Sequence, residues 1–270
     1  MNPIFDGSVP ALELHQVWKR FQHKEVLRGV NLRIEAGQIV TILGGSGSGK
    51  SVCLKHMIGL LRPDAGEVRV GGVEISRLRE RDLVGIRMGF GFLFQGAALF
   101  DSLTVFENVA FPLREHRTLS EEQIGDRVRA CLDAVALAGT EALMPAELSG
   151  GMRKRIGLAR AIVLEPRILL YDEPTTGLDP ASGRRIGAVI RGLGTQPGVT
   201  SVVVTHDLDL CFSISDRVAL LKGGCIVAEG PAHDLQRSTH PDVQAFLAGV
   251  QDLADEPAVR ESDARRAYGA

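Results

Sequence analysis

The chain has 270 residues, of which 44% are apolar and 24% are charged, and its formal net charge is −2. This balance is ordinary for a globular protein with a full core, and it gives no support to nucleic-acid binding by bulk positive charge. The first ten residues lack the basic and apolar regions of a secretory signal, and no apolar stretch is long enough to span a bilayer. The four cysteines follow no metal-ligand spacing, so we expect reduced, mostly buried thiols.

The first ninety residues are dominated by strand patterns. The apolar run at 39–43 is typical of a strand that is buried on both faces. The segment EVRVGGVEI predicts two short strands that are joined at Gly71 and Gly72. We therefore expect sheet structure on both sides of the glycine-rich segment that follows residue 43.

That segment, GGSGSGKS at 44–51, fits the pattern G-x-x-x-x-G-K-[ST] between a predicted strand and a predicted helix. Its glycines let backbone N–H groups turn toward phosphate oxygens, and the helix N-terminus favours negative charge. Lys50 can reach the β- and γ-phosphates of a nucleotide, and the Ser51 hydroxyl can bind Mg²⁺. The residues predicted to contact the nucleotide here are Gly44, Gly45, Ser46, Gly47, Ser48, Gly49, Lys50 and Ser51.

Residues from about 95 to 165 have helical character. Ser120 and Gln123 fit a capping box, in which each side chain bonds the other residue's backbone N–H. A second helix is predicted from GMRKRIGLARAIVLE, ending before Pro166. Apolar residues with helical spacing follow the capping box at Ile124, Val128, Cys131, Leu132 and Val135.

Strand patterns return at RILLYDE and VTSVVVTH. The first of these strands would deliver Asp172 and Glu173 beside the phosphate-binding loop. Asp172 is predicted to hold Mg²⁺ or its waters, and Glu173 to polarise an attacking water. DPASGRRIGAVIRGLG predicts a helix with Asp179 as its N-cap, and RVALLKGGCIVAEG predicts a hairpin. Strands that alternate with helices predict an α/β core with a largely parallel sheet.

These ordered motifs resemble those of the ATP-binding-cassette (ABC) ATPases over about residues 11–235. The resemblance implies an α/β P-loop NTPase (RecA-like) core with an antiparallel β subdomain and an inserted α-helical subdomain. The implied boundaries are an ATPase domain at 11–240, with its core at about 11–94 and 166–240, a helical subdomain at about 95–165, and a C-terminal extension at 241–270.

The same resemblance assigns roles to residues outside the phosphate-binding loop. Gln95, in LFQ, corresponds to the Q-loop glutamine that contacts Mg²⁺ and the attacking water. His206, in VTH, corresponds to the switch histidine, and Phe21 to the aromatic residue that stacks on adenine. Glu173 corresponds to the general base. The implied activity is ATP hydrolysis with Mg²⁺.

The segment LSGGM resembles the ABC signature, which in this family faces the nucleotide bound by a second copy. Ser149 can cap the following helix while Gly150 and Gly151 let backbone N–H groups approach an anion. Asp179 belongs to the segment GLD, which resembles the D-loop. Met152 stands where the family usually has glutamine, and we expect it to pack behind the loop without abolishing activity.

The segment at 93–116, together with Met152, resembles the Mla/Mce-associated phospholipid-trafficking ATPases. This resemblance implies three partners: an integral-membrane permease, an MCE-domain substrate-binding protein and, in some relatives, a STAS-domain protein. It also implies that this chain lies at the cytoplasmic face of the inner membrane and that it does not bind nucleic acid. The alternative is the ATPase subunit of a nutrient importer, such as one for amino acids. DNA-acting and translation-type members of the family are disfavoured, because they would carry insertions or a second cassette. Either a permease groove or the protein core would contain Leu99, Phe100, Leu103, Val105 and Phe106.

The C-terminal segment HPDVQAFLAGV predicts one short amphipathic helix. Val243, Phe246, Leu247 and Val250 would share its apolar face. This helix would dock on its own domain, on a second copy or on an accessory protein.

Overall fold

The computed structural model describes residues 9–116 and 119–249. The strands are β1 (Leu12–Phe21), β2 (Lys24–Ile34), β3 (Ile39–Leu43), β4 (Ala65–Val70), β5 (Val73–Glu74), β6 (Phe90–Leu93), β7 (Ile168–Asp172), β8 (Thr200–Thr205), β9 (Arg217–Lys222) and β10 (Cys225–Pro231). The helices are α1 (Lys50–Met57), α2 (Glu80–Arg87), α3 (Val105–His116), α4 (Glu121–Ala134), α5 (Gly150–Ile162), α6 (Pro180–Gly194), α7 (Leu208–Ile214), α8 (Ala232–Gln236) and α9 (Pro241–Leu247), with a 3₁₀ turn at Pro145–Glu147.

The larger sheet has the strand order β10-β9-β3-β8-β7-β6. Its pairs are parallel except for the β9–β10 hairpin, as the sequence predicted. Strands β3, β7 and β8 are buried at every position, which explains their continuous apolar runs. Because parallel strands end at the same edge, the segments after β3, β6, β7 and β8 meet there.

The smaller sheet is antiparallel, with the order β2-β1-β4-β5. Val70 pairs with Val73 across the tight turn at Gly71 and Gly72, so the predicted hairpin is confirmed. The prediction of strands throughout the first ninety residues is wrong at Glu80–Arg87, which forms α2. This helix buries only Leu83 and Ile86, too few apolar residues to give a visible helical period. The α/β fold with an antiparallel sheet is confirmed, whereas the exact domain boundaries stay a prediction.

Helices α3, α4 and α5 pack together around one apolar cluster. The capping box of α4 is present: Gln123 N donates to Ser120 Oγ at 3.3 Å, and Ser120 N donates to Gln123 Oε1 at 2.9 Å. Helix α5 ends at Ile162, short of the predicted end before Pro166, and Glu165 has a φ of 54°. A left-handed residue cannot continue an α-helix, which accounts for the earlier end. All five apolar residues predicted for the face of the first helix are buried: Ile124, Val128, Cys131, Leu132 and Val135.

Asn108 on α3 is fully buried and ties down the loop that precedes this helix. Its Oδ1 accepts from Phe100 N at 2.8 Å, and its Nδ2 donates to the carbonyl oxygens of Phe100, Leu103 and Thr104 at 3.0–3.1 Å. The side chain therefore satisfies four backbone groups in a dry environment, where leaving such groups unpaired is costly.

We expect Asn108→Ala to lower the free energy of unfolding by about 2–3 kcal/mol, because it leaves buried polar groups without partners. Urea unfolding followed by circular dichroism measures this change. Asn31→Ala is the matched control, since Asn31 also bonds backbone groups of residues 16 and 29 but is exposed to water. An equal loss in both variants would contradict the role of burial.

None of the described residues forms a helix long and apolar enough to cross a membrane. The predicted C-terminal helix corresponds to α9, in which Val243 is buried while Phe246 and Leu247 pack against the apolar cluster around β9. Val250 lies outside the described residues. All four cysteines are free; Cys53, Cys131 and Cys211 are buried and Cys225 is partly exposed.

Candidate functional site: a phosphate-binding loop with a carboxylate pair

The glycine-rich loop leads from β3 directly into α1, as its sequence context predicted. A Cβ at Gly44 would approach the Leu221 carbonyl oxygen to 2.5 Å, so the backbone passes where only glycine fits. Gly49 has a φ of 105° and serves as the N-cap of α1. Lys50 Nζ turns back into the loop and donates to the carbonyl oxygens of Gly44 and Gly45, each at 2.8 Å.

Asp172 at the end of β7 faces Ser51 at the start of α1. Ser51 Oγ donates to Asp172 Oδ1 at 2.7 Å. Burial raises the pKa of Asp172, and the Ser51 hydroxyl and the nearby lysines offset only part of this effect. A hydroxyl and a carboxylate at this distance are hard oxygen donors of the kind that Mg²⁺ prefers, so the residues present fit that ion. Among the described residues, no group of three or more His, Cys, Asp or Glu side chains forms a separate metal site.

Glu173 is the residue on which the side chains of Lys50 and His206 converge. Its carboxylate lies 3.2 Å from Lys50 Nζ and 2.9 Å from His206 Nδ1. Thr176 Oγ1 also donates to it at 3.2 Å. Burial alone would raise the pKa of Glu173, but Lys50 and His206 more than offset it, so this pKa lies below its usual value. Glu173 is therefore ionised at neutral pH, the form in which it can accept a proton.

Gln95 and Phe21 are two exposed residues that the sequence predicted to belong to the site. Gln95 follows β6 at the same sheet edge, with an exposed side chain. Phe21 ends β1, and its ring is 43% exposed with Lys19 Nζ 5.6 Å from the ring centroid. An exposed aromatic face can stack on a planar base. His206 itself is 59% exposed, so one side of the histidine ring is open to a ligand.

The residues of LSGGM form a second cluster with the segment before α6. Ser149 caps α5, since its Oγ accepts from Met152 N at 3.2 Å. A Cβ on Gly151 would lie 3.2 Å from Ser182, so the loop packs closely on the start of α6. Asp179 caps α6 through Ala181 N and Ser182 N, both at 3.0 Å. In the described part of the chain, no hydrogen bond or ion pair joins Ser149 to the phosphate-binding loop.

Met152 is partly buried against the apolar cluster of the helical segment, as expected for a residue behind the loop. Val105 is fully buried, so its place is in the core rather than in a surface groove. Phe100 is 43% exposed and packs against Phe111, with ring centroids 4.9 Å apart and ring planes tilted by 47°. The sequence interpretation missed Phe111, which lies six positions after Val105 along α3.

Lys154 is a further residue that the sequence interpretation missed. It is buried and donates from Nζ to the backbone carbonyl oxygens of Gln95 and Glu173. The available signal was a lysine between Gly151 and Leu158 on the buried face of α5, where apolar residues are the rule.

This chain is similar to several known proteins. The model of the family described as ABC transporter matches residues 27–176, which include the phosphate-binding loop, Asp172 and Glu173. The intermembrane phospholipid transport system ATP-binding protein MlaF of Haemophilus influenzae is 44% identical over 223 residues, covering 83% of this chain and 84% of that protein. The "Probable ribonucleotide transport ATP-binding protein mkl" of Mycobacterium leprae is 42% identical over 247 residues, covering 90% of this chain and 71% of that protein. A solved dimeric ATP-binding cassette, in a post-hydrolysis state with ADP and Pi, matches with a TM-score of 0.76 at 34% identity, covering 82% of this chain and 98% of that one.

Proposed function

This chain belongs to the ABC transporter family as an ATP-hydrolysing subunit, and we propose that it powers phospholipid movement across a bacterial envelope. The convergence of Lys50 and His206 on Glu173, beside the Ser51–Asp172 pair, supports the ATPase chemistry. The phospholipid cargo is supported by 44% identity to a phospholipid transport ATP-binding protein, together with the segment at 93–116. The nutrient importer alternative is less favoured, because it shares the motifs but not this segment.

In the proposed mechanism, the backbone N–H groups of residues 44–51 bind the nucleotide phosphates, and Phe21 stacks on adenine. Ser51, Asp172 and the Gln95 side chain would hold Mg²⁺, which neutralises charge on the phosphate oxygens when bound. Lys50 places a positive charge between the phosphates and Glu173, which keeps that carboxylate ionised.

Glu173 then accepts a proton from the attacking water as the water oxygen bonds to the γ-phosphorus, while the bond from this phosphorus to the bridging oxygen breaks and ADP leaves. His206 Nδ1 lies 2.9 Å from the Glu173 carboxylate and the ring has an exposed edge. In its doubly protonated form it would donate from Nδ1 to this carboxylate and from Nε2 to the γ-phosphate. Gln95 would help to orient the same water. Each of these side chains lies at an end of a strand in the same sheet, so their relative positions are fixed by strand pairing.

The second cluster completes the proposed site from a second copy of the chain. Ser149 and the N–H groups of Gly150 and Gly151 would contact the γ-phosphate held by the other subunit, where the positive end of α5 favours an anion. Asp179 would lie beside that contact. Two copies would therefore enclose two ATP molecules, and hydrolysis would separate them again.

The aromatic patch Phe100–Phe111 would contact an integral-membrane permease and hold the chain at the cytoplasmic face of the inner membrane. Phe100 and Phe111 are 43% and 39% exposed and contact each other, so they form an exposed apolar pair of the kind found in interfaces. An MCE-domain protein and, in some assemblies, a STAS-domain partner would complete the transporter.

We expect Phe100→Asp to abolish co-purification of the permease from detergent-solubilised native membranes, because a charge in the patch disrupts apolar contact. Turnover by the isolated chain should stay within about twofold, since the patch lies outside the catalytic cluster. Leu60→Asp is the matched control, because Leu60 is a 47% exposed apolar residue elsewhere.

The cargo is tested with the purified assembly in liposomes. We expect ATP-dependent transfer of a fluorescent phospholipid, which an assembly carrying Glu173→Gln does not support. An ATPase stimulated by amino acids and indifferent to phospholipid would instead favour the nutrient importer.

A further inference from the structure

Lys154 places a buried ammonium group against the backbone of the catalytic cluster. It lies on α5, five positions after the cap residue Ser149, and only 6% of Lys154 is exposed. Its Nζ donates to the carbonyl oxygen of Glu173 at 3.1 Å and to the carbonyl oxygen of Gln95. One side chain thus joins three segments that are far apart in sequence: the helix after LSGGM, the segment after β6 and the end of β7.

The burial of this ammonium group demands compensation, since a buried charge is costly unless it is paired and hydrogen-bonded. Burial lowers the pKa of Lys154, while the carboxylates of Asp172 and Glu173 oppose this effect. A lysine on the exposed side of α5 would avoid this cost. Here the cost is offset because Lys154 donates to the carbonyl oxygens of Gln95 and Glu173.

Glu173 is the residue that needs such support. It has a φ of 48°, a left-handed conformation that is unfavourable for a residue with a side chain. Its N–H donates to the Val204 carbonyl oxygen at 2.9 Å, and its own carbonyl oxygen accepts from Lys154. The backbone of Glu173 is thus held on both sides, which directs its carboxylate toward Lys50 and His206.

We propose that Lys154 is a positioning residue for ATP hydrolysis, which holds the Glu173 backbone in its left-handed conformation and at a fixed distance from the Gln95 backbone. Its side chain does not touch the reacting atoms. Movement of the segment after β6, or of α5, is passed through this ammonium group to the catalytic carboxylate. The inference rests on the proposed role of Glu173 as the general base.

The test compares Lys154→Met with Arg155→Met in the full-length chain. Arg155 is a matched control, because it is the next residue of α5 and donates to two carbonyl oxygens, those of Val135 and Ala136, at 3.1 and 2.9 Å outside the catalytic cluster. We expect Lys154→Met to lower kcat by about 10–10²-fold, the effect of a small displacement of a catalytic group. The Kd for fluorescent ATP should change by less than about twofold, since the phosphate-binding loop is untouched.

Lys154→Arg should restore kcat to within about threefold of the wild type, because the guanidinium can donate to both carbonyl groups. If Lys154→Met does not fold, as judged by thermal unfolding, Lys154→Gln keeps one donor and takes its place in the comparison. If the kcat of Lys154→Met equals that of Arg155→Met, whether both are normal or both are reduced, the proposal is overturned.

Glu173→Gln in the same assay separates this inference from its premise. If Glu173→Gln keeps normal turnover, the general-base assignment is wrong and the inference fails with it. If Glu173→Gln is slow while Lys154 variants are fast, only the positioning role is wrong. The double variant should be no slower than Glu173→Gln alone in single-turnover experiments, because two residues that act through one group are not additive.

Discussion

Replacing Glu173 with glutamine is expected to lower kcat about 10²–10⁴-fold, the contribution of a positioned general base. The amide has the size and shape of the carboxylate but cannot accept the proton of the attacking water. Nucleotide affinity should change by less than about threefold, because the phosphate-binding loop and Lys50 remain. Phosphate release measures turnover, and titration with a fluorescent nucleotide measures binding.

Glu165→Gln provides the control for the loss of a charge. Glu165 pairs with Arg127 at 2.8 Å, but its side chain is 77% exposed, and we expect turnover close to that of the wild type. Slow hydrolysis should also trap the Glu173→Gln chain as an ATP-bound pair, visible as a larger species by size-exclusion chromatography. Normal turnover by Glu173→Gln would refute the base assignment.

Replacing Ser149 with arginine is expected to abolish ATP-driven pairing of two copies while each copy still binds nucleotide. Ser149 is exposed, so the larger side chain can point outward and block an opposing surface without disturbing the core. The loss of the helix cap costs the monomer about 1 kcal/mol, which the fold tolerates. Sizing with and without ATP, in the Glu173→Gln background, measures the pairing.

Ser120→Arg is the matched control, because Ser120 is likewise an exposed serine that caps a helix, here α4. We expect this variant to pair with ATP as the parent chain does. ATP-driven pairing that survives Ser149→Arg would show that the LSGGM segment does not face a second copy.

Local patterns were sufficient to predict much of this fold. The buried strands β3 and β7 appear in the sequence as uninterrupted apolar runs, and the Ser120–Gln123 capping box marks the start of α4 at the observed residue. Helix α2 was missed because it buries only two apolar residues over eight positions. The end of α5 was misplaced because the left-handed conformation of Glu165 depends on its surroundings rather than on local sequence.

In the candidate site, too, local patterns predicted some features and missed others. Its motifs indicated which residues end the strands, but contact distances between distant segments are set by packing. The approach of Lys50 to Glu173 joins the first residue of α1 to the residue that follows β7, and no local pattern encodes it. Lys154 was overlooked because helical patterning assigns lysines to solvent, whereas this one bonds two carbonyl oxygens inside the protein.

Helix α5 has 13 residues, begins directly after its N-cap Ser149 and carries Lys154 on its buried side. In a two-fold symmetric pair, Ser149 would contact the nucleotide bound by the other subunit. Lys154 would hold the Glu173 backbone of its own subunit. A phosphate leaving one pocket would therefore shift the catalytic group in the other. Such coupling between the two sites would make turnover cooperative in ATP.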